Sequence, residues 1–322
     1  MMKKRLNIKI IVAVLLILLT VFGLVLLSQK ENKEYRLNTS DVLTYKTFTT
    51  DNITYDYKDN LRTYLLMGID GAGGEPLLGQ ADFLSLVIVD NKKEDIKVLV
   101  IPRDTIAYFD VCDSKGNVIS SNHSHINLAY ASGGDGTYLS EINEVKAVSN
   151  LLNSIPITGY IAMPLDILSD VVDIMGEAEV VLTDDSLSYL NSDLVEGTVF
   201  KINKNTVEEY VRSRDIWEDY SAGDRTSRQI IYMNYLLSKF NDIKNRNLDV
   251  TFHDLDSLLA KCESNLTNNQ LSDLYDEVID YGDNNEFIIL PGDYQVNNVS
   301  DEYIVNEDEY SKMLVNLFYE KN

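Results

Sequence analysis

Hydrophobic positions are distributed unevenly along this chain. From Ile8 or Ile10 to Leu27 they are almost continuous, with Lys9 near the start the only charge. Such a run is long enough to cross a bilayer, which takes about 20 residues. Residues 29–60 are polar and show no sustained period, apart from a short candidate strand at Ile53–Tyr57. After residue 60, apolar runs rich in Val, Ile and Leu alternate with amphipathic stretches, the pattern of an α/β sheet. Strands are expected over Thr63–Ile69, Phe83–Asp90, Ile96–Pro102, Ile157–Met163, Glu177–Leu182, Leu248–Phe252 and Phe287–Leu290. Helices are expected over Glu144–Asn153, over Leu165–Met175 with Gly176 closing it, and from Arg225 onward. Three more fall at Leu255–Glu263, Asn268–Tyr281 and Asp308–Tyr319. Residues 105–143 carry no period and read as an irregular excursion.

Glycines and acids punctuate this pattern at informative places. The strand Thr63–Ile69 runs into Asp70 and the glycine-rich turn Gly71–Gly74, which lacks the GK[ST] of a P-loop. The polar link NKKED joins the next two strands as a hairpin. If Asp90 faces Ile96, Asp82 falls opposite Asp104 and Phe83 opposite Arg103. Asp82, Arg103 and Asp104 then share one sheet edge, and Asp70 joins them if its strand runs parallel to Ile96–Pro102.

Four of the nine arginines crowd into Tyr210–Gln229: Arg212, Arg214, Arg225 and Arg228. One reading is a solvated face of ion pairs with Asp215, Glu218, Asp219 and Asp224. Periodicity favours another. Tyr232, Met233, Leu236 and Phe240 form an apolar helical stripe, and extending it backward reaches Gln229 and then Arg225. Polar residues thus prolong the core-facing side at a helix N-terminus, where unpaired N–H groups favour an anion.

Charge narrows the ligand. The formal net charge is −23, and residues 1–30 contribute +5, leaving 23 − 51 = −28 for the rest. A body so acidic excludes nucleic acid as a partner, because a phosphate backbone needs a basic footprint. An anionic ligand must be caught by a local cluster, with a divalent cation assisting. Lys3, Lys4, Arg5 and Lys9 place the N-terminus in the cytoplasm and the remainder outside. The apolar run exceeds a signal-peptide core of about 7–15 residues, so an uncleaved anchor is expected. His123 and His125 lie two apart, a weak metal signal without a third ligand. Two cysteines, Cys112 and Cys262, define no disulfide framework.

Together the stretches LLMGID (65–70), GQADFLSLVIVD (79–90), VLVIPRDT (98–105), HINLAYASGG (125–134), YVRSR (210–214) and RTSRQ (225–229) resemble the LytR-CpsA-Psr family of membrane-anchored glycopolymer transferases. The resemblance covers roughly residues 60–320. It implies a mixed central β-sheet with helices on both faces (α/β/α), preceded by one transmembrane helix. The expected organisation is a basic tip and anchor (1–28), a stalk (29–60), a catalytic domain (61–247) and a C-terminal part of the same unit (248–322). The implied activity moves an anionic glycopolymer, such as teichoic acid or capsule, from a polyprenyl pyrophosphate carrier onto peptidoglycan at the cell surface. Asp70 and Asp82 match the family's Mg²⁺-associated aspartates. Arg103, Arg212, Arg214, Arg225 and Gln229 match the residues that hold the pyrophosphate, and Asp82 and Arg103 are the catalytic candidates. The chain departs from the family at Gln80 in place of an Arg, at His125 in place of a Lys, and at Asp224, adjacent to Arg225 instead of three residues before it. Two other functions fit the same residues: a pyrophosphatase using water as acceptor, and a non-catalytic binder of lipid-linked polymer.

Overall fold

The computed structural model describes residues 44–321, apart from 73–74, 136–137, 245–257, 298–299 and scattered positions between 259 and 284. The apolar run at 8–27, the proximal stalk and the strand expected at Leu248–Phe252 lie outside the described residues. So do residues 255–257 and 259 of the helix expected at Leu255–Glu263.

Two short strands come first, β1 (Thr47–Thr50) and β2 (Ile53–Tyr57), paired antiparallel. Phe48, Tyr55 and Tyr57 pack on the core, so residues expected as distal stalk belong to the folded body. Next come β3 (Leu61–Ala72), β4 (Glu75–Asp90) and β5 (Asp95–Ile101). The supposed excursion at 105–143 is ordered: β6 (Ile106–Cys112) and β7 (Val118–His125) form a ribbon, followed by the one-turn α1 (Leu128–Ala131) and by α2 (Leu139–Leu151). Ser, Asn and His on the exposed β7 mask its alternation, which is why pattern alone missed it.

The chain continues through β8 (Gly159–Pro164), α3 (Leu168–Met175), β9 (Ala178–Val181), β10 (Val199–Ile202), α4 (Val207–Arg212) and α5 (Ser221–Lys244). Gly176 ends α3 at φ 87°, the left-handed region glycine suits. Then follow β11 (Glu263–Ser264), β12 (Asn285–Ile289), β13 (Gly292–Val296), β14 (Asp301–Val305), α6 (Glu307–Phe318) and β15 (Tyr319–Lys321). Glu263, expected at a helix end, is instead a sheet-edge residue paired with Ala162. The thiols of Cys112 and Cys262 are both free.

A six-stranded mixed sheet in the order β11-β8-β3-β4-β5-β12 organises the body. Period-2 alternation explains its two cores. Leu65, Met67, Leu86 and Leu99 face one side with Val145, Val148, Leu314 and Leu317 of α2 and α6. Tyr64, Leu66, Val87 and Val98 face the other with Leu266, Leu271 and Leu274. The architecture is therefore mixed α/β with apolar cover on both faces. A further core joins α3, β9, β10, α4 and α5 through Val172, Phe200, Tyr210 and Tyr232.

The hairpin register differs from expectation by one residue. Asp90 pairs with Asp95 and Leu84 with Ile101, so Asp95, expected in the turn, is already in the ladder. Glu94 adopts φ 53° to close this shorter turn. Because β3 and β5 are both antiparallel to β4, they run the same way, and Asp70 arrives at the same sheet end as Arg103.

Candidate functional site

Asp82 owes its position to an irregularity in the sheet. Gly68 pairs with Phe83 and Ile69 with Ala81, so Asp82 is the unpaired residue of a β-bulge. A bulge re-aims the side chain it carries. Gly68 makes the close approach possible: a Cβ there would lie 3.0 Å from both Phe83 Cβ and Leu165 Cδ2. One position on, Asp70 pairs with Gln80. Burial pushes the Asp82 carboxyl above the ordinary range, opposed by Arg103, Arg225 and Arg212 and reinforced by Asp70.

The arginines reach these carboxylates from three separate elements. Arg103, just past β5, pairs with Asp82 and faces Asp104 Oδ1 at 3.4 Å through Nε. Arg212 ends α4 and is shared between Asp70 and Glu208. Burial disfavours its charge, but those two carboxylates more than offset it and hold its pKa up. Arg225 donates to Asp104 Oδ2 at 2.9 Å. Both partners are almost wholly buried, and no hydrogen bond reaches Arg225 Nε among the described residues. Burial and the neighbouring Arg103 push the Arg225 guanidinium down. Arg214 lies 3.5 Å from Asp301. The structure thus gathers Asp70, Asp82, Arg103, Arg212, Arg214 and Arg225 at one end of the sheet.

One expectation needs correction. Helix α5 starts at Ser221, one turn before Arg225, and its first amides are occupied: Asp301 accepts from Tyr220 N at 3.2 Å and Ala222 N at 3.1 Å. Free N–H groups at Arg225 are absent because they lie inside the helix. Gln229 donates through Nε2 to Val211 O at 3.1 Å, tying α5 to α4 next to Arg212.

Several contributors escaped the sequence reading. Arg228 is fully buried and donates to Tyr210 O at 2.9 Å, to Ser213 O and to the Ser186 hydroxyl. It is a clip that orients the Arg212–Arg214 segment. Its spacing three residues from Arg225 placed it on the buried face, but nothing in the sequence named its partners. Asp301 carries no local signal at all. Residues 125–127 are laced across the site: Ile126 N donates to Thr105 O at 2.8 Å, Asn127 N to Arg103 O at 3.3 Å, and Asn127 Nδ2 to Gln80 Oε1 at 2.9 Å. His123 and His125 share β7 but diverge, His123 stacking on Tyr108 at 4.1 Å and His125 facing Asp104.

A divalent cation suits the donor set. Asp70 and Asp82 each give Oδ1 to an arginine among the described residues, which leaves Oδ2 of each for a hard cation. No cluster of three or more His, Cys, Asp or Glu ligands occurs among the described residues. Mg²⁺ commonly takes one or two carboxylates and completes its shell with water and phosphate oxygens, so Asp70 and Asp82 are the residues that would hold it.

Two strand carboxylates ringed by forked cations, on this sheet and with this motif order, agree with the family model that matches residues 24–318. This chain belongs to the LytR_cpsA_psr family. Among curated relatives, TagV of Bacillus subtilis, a polyisoprenyl-teichoic acid–peptidoglycan teichoic acid transferase, is 27% identical over 248 residues. That match covers 70% of this chain and 58% of TagV, so the chain spans under two thirds of that relative's length. TagU of Bacillus cereus, of the same description, is 29% identical over 234 residues, 71% of this chain and 68% of TagU. The fold resembles crystal structures of gbs0355 from Streptococcus agalactiae (TM-score 0.62, 19% identity, 80% of this chain and 87% of that one). It also resembles that of B. subtilis TagV (TM-score 0.57, 21% identity, 80% and 97%). The LytR_cpsA_psr fold therefore accounts for the sheet that carries the site.

Proposed function

We propose that this protein is an extracytoplasmic phosphotransferase that moves an anionic glycopolymer from a polyprenyl pyrophosphate carrier onto peptidoglycan. The observation that carries this reading is the convergence of Arg103, Arg212 and Arg225 on Asp70, Asp82 and Asp104. Arginine forks match phosphate oxygens two at a time, and the names of TagV and TagU supply the reaction class.

In this reading the pyrophosphate lies among Arg103, Arg212, Arg214 and Arg225, with Gln229 holding the α4–α5 junction in place. An acceptor sugar hydroxyl attacks the phosphorus that bears the polymer. The bond from that phosphorus to the bridging oxygen breaks, and polyprenyl phosphate leaves with the electron pair. The hydroxyl proton passes to Asp82, whose raised pKa brings it nearer the range a general base needs. The guanidinium groups stabilise charge on the leaving phosphate. Asp70 and Asp82 would hold Mg²⁺, which when bound neutralises phosphate charge. The apolar run at 8–27 anchors the chain with its N-terminus in the cytoplasm.

The test is to follow polyprenyl phosphate release and polymer joined to peptidoglycan fragments, with and without acceptor. A transferase forms both products together and releases little phosphate without acceptor. Equal release without acceptor identifies a pyrophosphatase. Lipid affinity with no release at all identifies a binding protein.

A further inference from the structure

The site is short of positive charge for the ligand it is built around. Arg103, Arg212, Arg214 and Arg225 are matched by Asp82, Asp70, Asp301 and Asp104, and Glu208 adds a further acid on Arg212. A pyrophosphate brings more negative charge into a region already balanced. The Mg²⁺ proposed at Asp70 and Asp82 would offset part of that charge, and a proton taken up beside the arginines would offset more.

His125 stands where a proton can be stored. It ends β7 opposite Ile106, and the backbone bond from Ile126 N to Thr105 O holds it against the Arg103–Asp104 segment. Its Nδ1 faces Asp104 Oδ1 at 3.8 Å, the same oxygen that Arg103 Nε faces at 3.4 Å. Its Nε2 lies 3.4 Å from Ser300 Oγ in the β13–β14 turn. The ring is mostly buried, and it sits on the one carboxylate that Arg103 and Arg225 share.

We propose that His125 is the titrating charge of this anion site, taking up a proton as a pyrophosphate binds beside Arg103 and Arg225. This role presupposes the pyrophosphate site proposed above and adds its control by pH. Histidine is the side chain whose charge ordinarily changes between pH 5 and 8. A nearby anion favours imidazolium, and by reciprocity imidazolium strengthens the anion's binding by the same factor. The charged groups around the ring set the sign. Asp104 is the negative neighbour of the ring, Arg103 and Arg225 lie on the same carboxylate as its positive neighbours, and an added diphosphate would offset those two positive charges. Asp301, beside Ser300, is committed to Arg214 and the start of α5. Tyr294, near Asp104, is pushed up to about 12 by burial and so stays neutral over this range. On β7 itself His123 is exposed and stacked on Tyr108, away from Asp104.

The experiment uses the full chain in detergent with geranyl pyrophosphate as probe. Imidazole NMR titrations are recorded with and without saturating probe, His125→Gln assigns the His125 resonance, and His123 is the internal control. The His125 midpoint is expected to rise by about one pH unit with probe, equivalent to about tenfold in affinity, while His123 does not move. In parallel, the affinity ratio between pH 5.5 and 8 is compared across the wild type, His125→Gln and His125→Lys. The probe's own ionisation is common to all three and cancels. His125→Gln is expected to lose about tenfold of the ratio, and His125→Lys to hold its grip at both pH values. An unmoved His125 midpoint in a protein that binds the probe, or identical ratios in the wild type and His125→Gln, overturns the role of His125 alone. No binding at any pH overturns the pyrophosphate site as well.

Discussion

Arg225 and Asp104 are 121 residues apart in sequence and joined at 2.9 Å, each almost completely buried. This pair fastens the helix carrying one arginine to the sheet end carrying the aspartates. Breaking a buried pair leaves the other charge uncompensated, which typically costs about 3–5 kcal/mol. Asp104→Ala is therefore expected to lower unfolding free energy by roughly that amount in urea, with an unchanged m-value.

Arg212 presents the opposite balance. It is part exposed and, among the described residues, tethered to Asp70 and Glu208, so its contribution to stability is about 0–1 kcal/mol. Arg212→Lys keeps the charge but loses the fork. It is expected to melt like the wild type while losing most polymer transfer. Full transfer by this variant would remove Arg212 from the site.

Arg228 is expected to behave as structure. Arg228→Ala leaves the carbonyls of Tyr210 and Ser213 without their buried donor, at about 1–3 kcal/mol for each unsatisfied group. A large loss of melting temperature, with Arg212-dependent substrate affinity falling alongside it, is the expected result.

Asp82 gives a prediction with a definite sign. Its folded carboxyl titrates above the ordinary aspartate value because of burial, so the folded state binds its proton more tightly than the unfolded chain. Ionising it costs stability as pH rises through the folded value, and the cost vanishes below the ordinary value. Asp82→Asn is expected to abolish transfer and to melt higher than the wild type at pH 7, with the gap closing toward pH 3.5. An equal or lower melting temperature at pH 7 would count against the burial account.

The anchor reading is tested by topology. Protease added to intact spheroplasts is expected to digest the chain beyond about residue 60 and spare its first residues, given Lys3 to Lys9 on the cytoplasmic side. Protection of the whole body would exclude the proposed substrate.

Much of this was legible in the amino-acid order, for a physical reason. Apolar runs at 65–69, 84–89 and 96–101 have the composition and length of buried strands, and an apolar period identified α5 through Tyr232 and Leu236. Local pattern also brought Asp70, Asp82 and Arg103 to one end of the sheet and put Arg225 on a core-facing side, although Asp70 and Asp82 lie inside strands that run further than the pattern showed. These depend only on near neighbours. What pattern missed depends on closure between distant segments. The one-residue register change came from Glu94 adopting a positive φ, and the re-aiming of Asp82 came from a bulge that β3 imposes on β4. Asp301 capping α5, Arg228 clipping the Arg212–Arg214 segment and His125 facing Asp104 each join residues that sequence separates by 15 to 79 positions. No periodicity encodes such meetings, because the partner is chosen by where the packed sheet and helices set down the rest of the chain.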